Sequence, residues 1–149
     1  MNLKGRIDAD LKSAMLGRDA FLTELLRGLK SAIQYEEVAK KKRDEGLSDS
    51  EIEQVLAREA KKRDESAEMF DKGGIAEKAD KERHEKEVIQ TYLPKQLSEE
   101  ELAVIVNEEI AASGASGPQA MGQVIGKVRA RVGQAADGAM IARLVKEKL

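Results

Sequence analysis

Apolar residues fall at helical spacing along this chain, and no stretch of it needs a strand. The clearest case is Leu22, Leu25, Leu26, Leu29 and Ile33 at i, i+3, i+4, i+7 and i+11, one continuous apolar stripe on a helix that faces a partner. Such stripes are buried by packing helix on helix. Composition agrees. Of 149 residues 36% are charged and 3% aromatic, only Phe21, Phe70, Tyr35 and Tyr92, with no tryptophan, which argues against a β-sandwich or barrel. The close interspersion of apolar and charged residues argues equally against disorder.

Caps and breakers divide the periodic pattern into seven helices. Leu3, Ile7 and Leu11 mark the first, from Leu3 to about Met15, stopped near Gly17. Asp19 opens the second, which is predicted to run to about Lys42 before Gly46 breaks it. Ser48-Asp49-Ser50-Glu51 reads as a capping box for a third helix, with Ile52, Val55, Leu56, Ala60, Ala67 and Phe70 on one face. It ends at Gly73-Gly74, where a left-handed cap meets no Cβ penalty. A fourth helix from about Ile75 holds Ala79, Val88, Ile89 and Tyr92 and must end before Pro94. A second capping box, Ser98 to Glu101, starts a fifth with Leu102, Ile105, Val106 and Ile110, which stops at Gly114. Pro118 begins a sixth with Met121, Val124, Ile125, Val128 and Val132, and Asp137-Gly138 caps a seventh with Ile141, Leu144 and Val145. The expected fold is all-α. An N-terminal bundle of long helices covers residues 1–93, a linker 94–97, and a small three-helix domain 98–149.

The absence of cysteine excludes disulfides, thiolate nucleophiles and cysteine-held metal clusters. No apolar run is long enough to span a bilayer, and the polar N-terminus lacks the apolar core of a signal peptide, so a cytoplasmic protein with no membrane partner is expected. The formal net charge of −2 rules out a globally basic nucleic-acid binder. Charge is nevertheless uneven. Residues 95–116 hold one basic and five acidic residues, −4, whereas residues 117–149 hold six basic and two acidic, +4.

Chemistry-bearing patterns are few. Asp80, His84 and Glu87 share one helix face, a geometry able to ligate a metal, but that helix is crowded with charge and reads better as solvated surface. No G-x-S-x-G elbow displays a serine to the single histidine. Gly117 and Gly122 have phosphate-loop spacing without the following Lys-Ser/Thr, so a nucleotide loop is rejected. No catalytic residue, cofactor or small-molecule substrate is assigned. Two basic runs, Lys40 to Arg43 and Lys61 to Arg63, are flanked by acids and read as solvated helix surface. Arg63 differs, because its phase places it on the apolar face between Ala60 and Ala67, with Glu36 as a candidate partner. On the sixth helix Gly122, Gly126 and Arg129 share one edge, and Lys127 and Arg131 the opposite flank. A bare glycine edge admits another helix or a phosphate backbone, and helix packing is the commoner use.

Three strings resemble the YqeY family: Leu26-Arg27-Gly28-Leu29-Lys30-Ser31-Ala32-Ile33, Tyr92-Leu93-Pro94-Lys95-Gln96-Leu97-Ser98-Glu99-Glu100-Glu101-Leu102, and Met121-Gly122-Gln123-Val124-Ile125-Gly126. Their order and spacing cover nearly the whole chain. The C-terminal part, with Ala136-Asp137-Gly138, is similar to the tail of the B subunit of tRNA-dependent amidotransferase, a carbon–nitrogen ligase that takes glutamine as amido-N-donor. In that enzyme the tail is implicated in holding tRNA, while amide transfer and glutamine hydrolysis occur elsewhere. The resemblance therefore implies a non-catalytic accessory module whose partners are tRNA or a tRNA-amidotransferase or synthetase complex. Its contacts would be Lys127, Arg129, Arg131, Arg143 and Lys146. One departure weakens them: where relatives tend to carry Lys-Gly-Arg-Ala-Asp-Gly-Lys, this chain has Gly133-Gln134-Ala135-Ala136-Asp137-Gly138-Ala139, three positive charges fewer. The alternative is a helical protein–protein adaptor with no RNA role, docking at Gly122 and Gly126.

Overall fold

Hydroxyl and carboxylate caps begin most of the helices where the chain offers them. The computed structural model describes residues 1–114 and 116–149, and among these seven α-helices and no strand occur, as the periodicity requires. Residues 1–93 and 94–149 form two compact units.

In the first unit α1 spans Leu3–Leu16, α2 Ala20–Ala39, α3 Asp49–Lys72 and α4 Ala76–Gln90. Asp19 caps α2 by accepting from the Leu22 N–H at 3.0 Å. Ser48 and Glu51 form the anticipated capping box, with reciprocal bonds of 3.2 and 3.0 Å. Leu3, Ile7, Leu26, Leu29, Ile33, Ile52, Leu56 and Ile89 meet in one apolar cluster, the main source of this unit's stability. The turn half of the α3–α4 hairpin contributes little to it. From Glu65 to Lys81 only Ala67 and Ala79 are buried, small side chains that let the two helices approach closely, and ion pairs of Lys86 with Asp64 (2.7 Å) and of Arg83 with Asp71 hold them together.

Several expectations need correction here. α2 ends at Ala39, not near Lys42, because Lys40 and Lys42 both turn back to Glu51, at 3.2 and 3.0 Å, and the chain reverses with Lys41 in the left-handed region. Phe70 is half-buried outside the core, under the Lys78 ammonium at 5.7 Å. Tyr92 lies beyond the end of α4. It is buried, its hydroxyl donates to Asp10, and the Arg6 guanidinium stands 5.3 Å over its ring. Burial, and then the adjacent carboxylate, push the phenol well above its ordinary range. Arg63 is half-buried, but Glu36 is not its partner. Glu59 at 2.9 Å and Glu85 at 3.4 Å hold it, while Glu36 bonds Arg58 at 3.1 Å. Phase on one helix places a side chain on a face and leaves the neighbour undetermined.

In the second unit α5 spans Glu99–Ser113, α6 Met121–Val132 and α7 Gly138–Lys148. The Ser98–Glu101 capping box forms, and Gly114 ends α5 at φ 63°. Pro118 starts a short 3-10 turn, Pro118–Ala120, that leads into α6 instead of the α-helix itself. Leu102, Val106, Val124, Val128, Ile141, Leu144 and Val145 pack together. Residues 96 and 97 are tied into this unit: the Leu97 N–H donates to the Ala135 carbonyl and the Gln96 amide to that of Gln134, both at 2.8 Å.

Candidate nucleic-acid interface

Burial of Val124 and Val128 orients α6 and turns Gly122, Gly126 and Lys127 to solvent. A Cβ built at Gly122 or Gly126 meets nothing within 4 Å, so neither glycine is needed for packing inside this chain. The glycine edge is open surface.

Arg129 shares that edge in sequence but is engaged within the fold. Its Nη1 donates to the carbonyls of Gly133 at 2.5 Å and Ala136 at 2.9 Å, closing the turn between α6 and α7. Its Nη2 lies only 2.9 Å from where a Cβ on residue 138 would stand. The Ala136-Asp137-Gly138 string thus has a local cause. Asp137 caps α7 by accepting from the Ala139 N–H at 3.4 Å, and Gly138 leaves room for the guanidinium.

Arg131 and Arg143 bind the acidic helix beside them. Arg131 reaches Glu108 at 2.7 Å and Glu109 at 3.5 Å, and Arg143 reaches Glu99 at 2.8 Å and Glu147 at 3.2 Å. Hydrogen bonds, to Glu108 and to Glu99 first, raise both guanidinium pKa values. Two of the six cations of residues 117–149 thus lie against three of the five acids of residues 95–116, and seven basic and seven acidic residues leave 95–149 neutral. Lys127 and Lys146 remain exposed, with no ion pair among the described residues. So does Lys148, which the family strings do not mark and whose only signal is its place in the last turn of α7. The five cations named from the sequence thus divide into two free lysines, two ion-paired arginines and one turn clamp.

The Asp80–His84–Glu87 face brings no ligand set together. Asp80 bonds Arg83 at 3.0 Å, His84 stacks on Phe21 with ring centroids 4.5 Å apart, and no three such side chains converge among the described residues. No helix among the described residues is long and apolar enough to cross a membrane.

Fold and surface together define an all-helical protein whose α6 exposes two bare glycines on one edge and a lysine on the opposite flank. The chain belongs to the YqeY family, whose model, described as Yqey-like protein, matches residues 4–149. No curated protein matches it.

Proposed function

We propose that the chain is a non-catalytic accessory protein related to tRNA-dependent amidotransferase, and that it holds tRNA on the solvent edge of α6 and α7 for a partner amidotransferase or synthetase. The observation that carries this reading is the pair Lys127 and Lys146, exposed cations with no ion pair among the described residues, while the bare Gly122 and Gly126 on the other flank of α6 leave that helix open to close approach by a phosphate backbone. Arg131 and Arg143 assist by exchanging surface carboxylates for phosphates. Exposed ion pairs are screened by solvent and contribute little to stability, so the exchange costs little. Arg129 takes no part in contact.

The test is a fluorescence-anisotropy titration of the full chain with bulk tRNA at several salt concentrations. Replacing Lys127 and Lys146 by alanine is expected to reduce the slope of log K against log salt by about 1.4, at roughly 0.7 per single-strand-like contact. No binding, or an unchanged slope, overturns the reading. The open edge at Gly122 and Gly126 favours a second reading, the adaptor. That reading replaces the first if partner capture from lysate survives ribonuclease and Gly126→Leu abolishes it.

A further inference from the structure

The face of α2 turned away from the core carries Glu24, Arg27, Gly28, Ser31, Gln34, Tyr35 and Val38, all exposed. Tyr35 is 78% exposed, an unusual state for an aromatic ring, whereas Tyr92 is buried. Between Gly28 and Lys41 the only acids are Glu36 and Glu37, and both are already taken, by Arg58 at 3.1 Å and by Lys4 at 3.1 Å. Over the whole span from Arg18 to Lys41 the cations without an ion pair among the described residues, Arg18, Arg27 and Lys41, outnumber the acids without one, Glu24 and the capping Asp19.

Backbone strain marks the two ends of the same helix. Among the described residues only Arg18, φ 55°, and Lys41, φ 58°, adopt positive φ without being glycine, and they flank α2. Each occupies the left-handed position of a helix ending in which the next N–H reaches back five residues, Asp19 to Ala14 at 2.9 Å and Lys42 to Glu37 at 2.7 Å. A side chain there costs stability that glycine would spare. The helix dipole does not account for the choice, since a cation inside the last turn gains the same attraction without strain. Lys40 and Lys42 are ion-paired, whereas Arg18, Arg27 and Lys41 have no ion pair among the described residues.

We infer that this face of α2 binds an unpaired stretch of RNA, with Tyr35 stacking on a base while Arg18, Arg27 and Lys41 hold phosphates. α2, with 20 residues, spans roughly 30 Å, room for several nucleotides between the two strained cations. A docked protein fits less well. Tyr35 and Val38 are the only large apolar side chains on this face, and stable interfaces cover about 800 Å² per partner. The partner class rests on the RNA reading of the tail, but the residues are separate.

The probe is a single-stranded oligouridine titrated into the full chain, with bulk tRNA in parallel. Tyr35→Ala is expected to weaken binding of both about tenfold or more, and Tyr35→Phe to retain it. With no tryptophan present and Tyr92 buried, quenching of tyrosine emission by oligouridine reports Tyr35. The double variant Arg18→Gly/Lys41→Gly is expected to raise the melting temperature while lowering the salt slope by about 1.4, a combination that a purely structural role does not produce. Unchanged affinity in Tyr35→Ala, or an unchanged slope in the glycine variant, overturns the inference. Loss confined to Lys127→Ala/Lys146→Ala overturns this site and leaves the tail. Loss confined to the α2 variants overturns the tail and leaves this site. Binding of neither RNA by the unmodified chain overturns both.

Discussion

Replacing Gly138 by alanine isolates the contact that shapes the turn before α7. The new Cβ would stand 2.9 Å from Arg129 Nη2, and the guanidinium could relieve that overlap only by loosening its bonds to Gly133 and Ala136. Hydrogen bonds from a charged donor contribute roughly 1.5–3 kcal/mol when protected. The Gly133 bond is exposed and the Ala136 bond half-buried, so the loss is about 1–2 kcal/mol in total. Against it stands the helix preference for alanine over glycine, about 0.5–1 kcal/mol. Gly138→Ala should therefore be near neutral to destabilising by about 1 kcal/mol in the unmodified chain, and stabilising by about 0.5–1 kcal/mol once Arg129 is alanine. The cycle of both single variants and the double should return a coupling of about 1–2 kcal/mol. Hydrogen exchange at the amides of Ile141, Leu144 and Val145 is the assay, because it reports opening of the second unit separately from the first. Equal effects of Gly138→Ala in both backgrounds would refute the reasoning.

Two further outcomes test the first unit. Hydrogen bonds, from the Ser48 backbone first and then from Lys42, hold the Glu51 carboxyl down to about 2, below its ordinary 4.5. A lowered folded pKa gives stability that is present above 4.5 and lost as pH falls through about 2, so the melting-temperature gap between the chain and Glu51→Gln should shrink steadily below pH 4.5, and a gap unchanged between pH 5 and pH 2 would show that the ionised carboxylate is not its cause. Arg63→Ala should cost roughly 1–3 kcal/mol, since it leaves the half-buried Glu59 and Glu85 without their shared partner, and an unchanged urea midpoint would show that solvent already screens the cluster.

Helix identity and most helix starts were legible from the residues because they depend on neighbours three or four positions away. Ser48, Ser98, Asp19 and Asp137 each cap the helix that follows, and the stripe from Leu25 to Ile33 is buried, because both features follow from the helical repeat itself. What the periodicity could not determine is which charged groups meet. The end of α2 depends on Lys40 and Lys42 finding Glu51, and the partner of Arg63 depends on α4 arriving alongside α3. The same limit governs the candidate interface. Sequence alone marks Lys127, Arg129, Arg131, Arg143 and Lys146 as a basic set, and only packing shows Arg131 and Arg143 against acids on α5 and Arg129 closed on its own turn. A charge is read from one residue. Whether it remains free for a ligand is decided by side chains as far as 44 positions away, and tertiary contact alone brings those together.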